Sequence, residues 1–277
     1  MGGFIVEQPL PHQEINTIDP FLLIHHASKK YTAGSNIKDL GVGPHPHRGF
    51  SPVTFVFQGE VHHRDSRGNS SAIRAGGTQW MHSGMGIIHS ERPSKAMADH
   101  GGTMEIIQFW VNVPASAKML QPEYMPLSVE NTPTLKLDDN ISEVQVIAGD
   151  FESLSGPVNT HSPLLILRLD LRKGVSKEIS IPKEYNALIY QLDGQLQFNK
   201  SIDGTIKQLS WFEIGGEGIL IEAKQDTRAI LLAGLPIEEK VVSQGPFVMN
   251  SESEIMEAMR DYQLGKMGFL VEDFEEK

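Results

Sequence analysis

Short runs of apolar or alternating residues, each stopped by Gly, Pro, Asn or Asp, recur along almost the whole chain: "SPVTFVFQGEV", "TMEIIQFWVNV", "VQVIAG", "LLILRLDL", "ALIYQLDGQLQF" and "RAILLAG". Runs of this length and period cannot sustain helices, and their regular punctuation predicts an all-β protein of sandwich or barrel type. One helix is expected near the end. There Ser251 and Glu254 form a capping box, and Ile255, Ala258, Met259 and Tyr262 fall on one face that should pack on a sheet.

The runs repeat. "VFQGEVH" (56–62) overlays "QLDGQLQ" (191–197), aligning Gly59 with Gly194, and "GMGIIHSE" (84–91) overlays "GEGILIEA" (216–223). The matches keep their order, with 25 residues from Gly59 to Gly84 and 22 from Gly194 to Gly216. Between Pro114 and Asp139 the periodicity fades into a stretch with four prolines, which reads as the passage between halves. The expected division is 1–130 for the first domain and 131–277 for the second. The copies differ at one kind of residue: His89 falls on Ile221, and "PHPH" falls on "SIPKEYN", which has no histidine. Nine of the eleven histidines lie between His25 and His100, so any imidazole chemistry belongs to the first copy.

Within that copy, "GPHPHRGF" (43–50) places His45 and His47 at i and i+2, on one face of a strand, with Pro44 and Pro46 restricting the backbone around them. "IIHSE" repeats the device with His89 and Glu91. Two such pairs on facing strands of a barrel would offer three nitrogens and one oxygen to a single ion. The chain has no cysteine, which excludes disulfides, thiolate catalysis and sulfur-ligated metals, and leaves Fe(II), Mn(II), Ni(II), Cu(II) and Zn(II) all admissible.

Composition removes other classes. With 39% hydrophobic residues, 21% charged and a mean hydropathy of -0.23, the chain reads as globular rather than disordered. Twenty-four basic against thirty-five acidic residues give a net charge of -11, which repels a phosphate backbone, so no direct nucleic-acid contact is expected. No run approaches the ~20 apolar residues of a membrane helix, and "MGGFIVEQPLPHQE" lacks a basic and apolar leader. A soluble, cytoplasmic protein without membrane contact is expected.

The segments "PHPHRGF", "GTQWMHSGMGIIHSE", "QFWVN" and "GPFVMN", spread over residues 44–250, together resemble the signatures of the pirin family of the cupin superfamily. The resemblance implies a bicupin of two antiparallel β-barrels with a mononuclear metal, usually iron, in the first and typically none in the second. It implies His45, His47, His89 and Glu91 as ligands. The broader cupin pattern often carries a glutamate just after the first motif. Here those positions are Ser51 and Pro52, so the carboxylate must come from Glu91.

The same resemblance suggests two functions. Some bacterial pirins are similar in activity to quercetinases, which use O2 to open the central ring of quercetin and release carbon monoxide and a depside. On this reading the chain is a quercetin 2,3-dioxygenase-type enzyme loaded with Fe(II), and Glu91 is the general base for a flavonol's 3-hydroxyl. Eukaryotic pirins instead engage transcription factors, and others are linked to metabolic enzymes. The alternative is therefore a non-catalytic, metal-dependent regulatory protein with a protein partner. His63 matches a histidine near the pirin metal pocket and is a candidate for substrate contact or for support of a ligand. His82 and Gln108 are candidates for the cavity lining. Arg48 is expected to partner an acidic group. His25, His26 and His100 are read as structural or exposed.

Overall fold

The computed structural model describes residues 5–274, so the reading of the first four residues as lacking a leader lies outside the described part. The chain is all-β, with two barrels of the cupin type, each made of a six-stranded and a four-stranded sheet. Ten strands build the first: β1 (Ile5–Leu10), β2 (Phe21–Tyr31), β3 (Val42–His47), β4 (Phe50–Gln58), β5 (Glu60–Asp65), β6 (Ser70–Arg74), β7 (Thr78–His82), β8 (Ile87–Pro93), β9 (Gly102–Asn112) and β10 (Glu123–Leu127). The larger sheet runs β1-β2-β9-β4-β7-β10 and the smaller β3-β8-β5-β6. Long β4 and β9 pair from Phe50–Asn112 to Gln58–Glu105 and form its spine. Val53, Phe55, Ile107 and Phe109, on the face of these strands turned away from the barrel interior, are fully buried.

The second barrel repeats this order through the whole smaller sheet and through the run β2-β9-β4-β7 of the larger one, while the edge strands differ. Its larger sheet contains Leu164–Leu171, Thr227–Gly234, Asn186–Gln191 and Leu209–Phe212 as successive neighbours, and its smaller sheet runs from Ser176–Ser180 through Gly218–Ala223 and Leu196–Phe198 to Ile202–Asp203. Gly59 and Gly194 occupy equivalent turns at φ +74° and +71°, where a left-handed backbone suits glycine. A Cβ on Gly194 would lie 2.1 Å from the Asp226 carbonyl oxygen, so the turn is closed to other residues by space as well. The register corrects one detail of the overlay: the counterpart of β3 is Ser176–Ser180, and "SIPKEYN" begins only at its end. His45 opposes His89 and His47 opposes Ile87, whereas Lys177 opposes Ile221 and Ile179 opposes Ile219. Ile179, Ile219 and Ile221 sit in a continuous buried cluster with Leu196, Phe198 and Leu231.

The compact units are not two consecutive halves. One comprises Leu23–Val129 with the described parts of Met1–Gln8 and Glu238–Lys277, and the other comprises Pro9–Leu22 and Glu130–Ile237. The stretch read as a passage holds a real strand: β10 pairs with β7 along the sheet edge, where the missing N–H of Pro126 is tolerated. Helix α1 (Lys95–His100) adds a turn and a half that the sequence pattern did not announce. Helix α2 (Glu252–Gln263) forms as its capping residues dictate, with Ser251 accepting from the Glu254 amide. Ile255 and Ala258 are buried with Ile88, Phe247, Met249 and Met267, whereas Tyr262 remains largely exposed. Among the described residues no helix is long and apolar enough to cross a membrane.

Candidate metal centre

Three neighbouring strands of the smaller sheet each aim an i, i+2 pair at the barrel interior: His45 and His47 from β3, His89 and Glu91 from β8, His63 and Asp65 from β5. The pairs lie on adjacent hydrogen-bonded strands rather than facing ones. His45 is directly opposite His89, and His63 directly opposite Glu91. Opposite residues on one face of a sheet stand ~5 Å apart, which brings three imidazoles together. The ring centroids of His45, His47 and His89 are 4.3–4.9 Å apart, and their ligand nitrogens lie within 4.8 Å of one another.

The polar atoms at this point suit a divalent cation. Both ring nitrogens of His47 and Nε2 of His89 are buried without a hydrogen-bond partner, an expensive arrangement unless something coordinates them. The His45 ring is oriented by its Nδ1, 2.8 Å from the Gly43 carbonyl oxygen, so its Nε2 is the free nitrogen. Burial, and then the neighbouring His45 ring, push the His47 and His89 imidazoles well below their ordinary value; His47 and His63 add to the effect on His89. The Pro246 carbonyl, near His47 but outside hydrogen-bonding geometry, opposes it weakly. Neutral imidazoles are the ligating form.

His63 lies behind His89. Its Nε2 is 3.0 Å from Asp65 Oδ2, its Nδ1 is 3.4 Å from His89 Nδ1, and its ring stacks on Tyr124 at 3.8 Å. Burial raises the Asp65 carboxyl, but bonds from His63, from Asn69 and from the Arg67 and Asn69 amides outweigh it and hold the group below its ordinary value. An ionised carboxylate only accepts, so His63 donates from Nε2 and accepts at Nδ1. His89 then donates from Nδ1, which leaves its Nε2 lone pair facing His45 and His47. Outer-sphere carboxylates that fix a ligand's tautomer in this way are usual around bound metals.

Glu91 occupies different ground. A row of cross-strand neighbours on the larger sheet, Gln79, Thr54 and Gln108, faces it across the interior. Thr54 Oγ1 donates to it at 3.1 Å, Gln108 Nε2 at 2.9 Å, and Gln79 Nε2 makes a further short contact. Glu91 and Gln108 line a cavity of about 50 Å³ whose remaining wall is Val6, Ala27, Val42, Val61, Met104 and Ile106, with His25 at one side. His82 is elsewhere: its Nδ1 meets Ser51 Oγ at 2.7 Å and the Trp80 indole N–H at 3.3 Å, and it does not line that cavity. Arg48 donates to Asp261 at 3.0 Å on the outer side of the sheet. Sequence reading passed over Asp65, Tyr124, Thr54 and Gln79, and read as structural or exposed His25, which lines the cavity. The first was signalled, since His63 and Asp65 repeat the i, i+2 device of the other two strands.

The depressed imidazoles carry a pH prediction for metal-stripped protein. Unfolded chains take up protons below about pH 6.5 that folded His47 and His89 refuse, so stability is full above that pH and falls as acid is added, down to the folded values. The unfolding midpoint of the stripped protein should drop between pH 7.5 and 5, and the drop should shrink when His47→Phe is made. A midpoint insensitive to this substitution at every pH would contradict it.

A two-barrel cupin with three convergent imidazoles in one barrel defines the class, a cupin with a candidate divalent-metal centre. Family comparison narrows it. Residues 3–111 match the pirin model and residues 166–268 the pirin C-terminal cupin domain, and the chain belongs to the pirin family. It is 37% identical over 270 residues to a pirin-like protein of Solanum lycopersicum, covering 96% of this chain and 88% of that one. It is 32% identical over 272 residues to pirin of Homo sapiens, covering 96% and 89%. Its fold superposes on the crystal structure of quercetin 2,3-dioxygenase from Acinetobacter baumannii with a TM-score of 0.87 at 36% identity, covering 94% of this chain and 90% of that one.

Proposed function

We propose that the protein is a metal-dependent dioxygenase of the quercetin 2,3-dioxygenase type, with His45, His47 and His89 holding one divalent ion, Fe(II) being the first choice. Glu91 is read as a fourth ligand on the side of the cavity and as the proton acceptor. The observation that supports the reading is that Glu91, two residues beyond His89 on β8, lines an apolar-walled cavity and shares the interior face of that strand with one of the three convergent imidazoles. The similarity to the Acinetobacter enzyme supports the same substrate class. A bound divalent ion supplies positive charge that acidifies a hydroxyl placed beside it and orients that oxygen. The protein's own part is to accept that proton at Glu91, to fix the acceptor's two oxygens through Thr54, Gln79 and Gln108, and to keep water out with Val42, Val61 and Ile106. His63 and Asp65 hold the His89 ring in the ligating tautomer.

One observation favours the second reading, a metal-dependent regulatory protein. A cavity of about 50 Å³ holds water-sized molecules, whereas sites for drug-sized ligands occupy ~300–1,000 Å³. A flavonol would need the wall at Val6, His25 and Met104 to yield. The deciding experiment is oxygen uptake on adding quercetin to protein reconstituted anaerobically with Fe(II), with His45→Ala/His47→Ala as control. Uptake that needs both the ion and the imidazoles is expected. Its absence in protein shown to hold one ion would overturn the dioxygenase reading in favour of the regulatory one.

A further inference from the structure

Strand alternation places an arginine on the outer face directly after a candidate ligand on the inner face, twice: Arg48 follows His47, and Arg92 follows Glu91. Both are buried, and both are paired with acids of the C-terminal segment. Arg48 donates to the Met85 carbonyl at 2.7 Å and to Asp261 of α2 at 3.0 Å. Arg92 is more heavily engaged. Its Nε and Nη2 take both carboxylate oxygens of Glu272 at 2.6 and 2.7 Å, and its Nη1 donates to the carbonyls of Lys38 at 2.9 Å and Leu40 at 2.6 Å. Those carbonyls belong to the turn that leads into β3. A single guanidinium thus ties β8, which carries His89 and Glu91, to the approach of the strand that carries His45 and His47.

The rest of the segment reinforces this contact. Ser66 Oγ donates to the Met267 carbonyl at 2.7 Å and accepts from the Ile88 amide at 3.0 Å, and the Phe274 ring lies 5.4 Å from the Arg92 guanidinium and 5.6 Å from that of Arg64. Met267 is fully buried against β8 through Ile88.

We infer that Met267–Phe274 is a brace for the three-imidazole group, and that Glu272 is a positioning residue whose ion pair with Arg92 sets how tightly that group retains a divalent cation. The inference rests on the metal reading above. Without the carboxylate, a buried guanidinium loses its counter-charge and turns to water, which releases the turn before β3. Ligand placement tolerates shifts of only ~0.5 Å, so the spacing between the strands controls retention. Coupling is reciprocal: a cation at the imidazoles also holds the segment down.

The test uses Co(II) on the full chain, read by its d–d absorption and by its rate of loss to a chelator, with cleavage after Lys266 reporting release of the segment. In Glu272→Gln and Glu272→Lys, cleavage should rise, the d–d bands should shift, and Co(II) should leave about 10-fold faster or more; Glu272→Asp should recover part of the loss. In the parent chain, Co(II) should slow hydrogen exchange of the amides of 267–274. A segment released by Glu272→Lys with bands and rate unchanged would overturn the inference, as would a segment that stays docked against the reversed charge. A parent chain that takes up no Co(II) would mark failure of the metal reading instead.

Discussion

His45→Ala/His47→Ala should bring bound divalent metal from about one ion per chain to a background level, with affinity weakened by more than the ~10–100-fold attributed to changes outside the ligand shell. Two of the three convergent nitrogens are removed, and His89 is left with at most the Glu91 carboxylate, too few ligands to retain the ion. Metal analysis after dialysis and competition with a chelator measure the effect. The metal-free fold should respond far less. His47 is buried with neither ring nitrogen paired, and an unsatisfied buried polar group costs about 1–3 kcal/mol. Removing it relieves that cost while leaving a cavity of opposing sign, so the metal-free midpoint should stay within about 5 °C of the metal-free parent. Stoichiometric metal in the double variant would mean that the ion sits elsewhere. A collapse of the metal-free fold would mean that the histidines serve packing.

The sequence disclosed the fold through its strand period and internal repeat, because alternation and turn glycines are local properties. Gly59 and Gly194 occupy equivalent turns, and the histidine-free copy of the "PHPH" strand is found where the register puts Lys177 and Ile179. The i, i+2 spacing likewise disclosed the three imidazoles, since a strand turns spacing directly into a shared face. It could not disclose the environment of Glu91, because Thr54, Gln79 and Gln108 come from three strands of the opposite sheet and meet only after the barrel closes. Tyr124 was hidden for a related reason: a five-residue edge strand interrupted by Pro126 carries too little pattern to be read, yet it delivers the ring that stacks on His63. The destination of the C-terminal segment is equally non-local, as Arg92 and Glu272 are 180 residues apart. Chain order suggested two successive domains, but the residues after Ile237 return to the first unit, where they pack on the outer side of β8.

Glu91→Gln separates the two roles that a carboxylate in this position can play. Glu91 accepts from Thr54, Gln79 and Gln108, and the group of nitrogens within 4.8 Å comprises His45, His47 and His89 without it. If its main work is to accept a proton, the amide variant should retain an ion within about 10-fold of the parent affinity and lose turnover by ~10²–10⁴-fold, the range for loss of a positioned general base. The substitution is not silent structurally. A glutamine side chain must turn one NH2 toward two amides and a hydroxyl that all donate at present, so at least one bond is lost and the midpoint of the stripped protein should fall by a few degrees. Thr54→Val is the companion measurement, because it deletes one donor to Glu91 and leaves the carboxylate in place. It should lower turnover less than Glu91→Gln and leave metal content unchanged. Metal loss that outruns the loss of turnover in Glu91→Gln would assign the carboxylate to ligation, and the proton acceptor would then have to be another group beside the cavity, where His25 is the other titratable side chain among the lining residues.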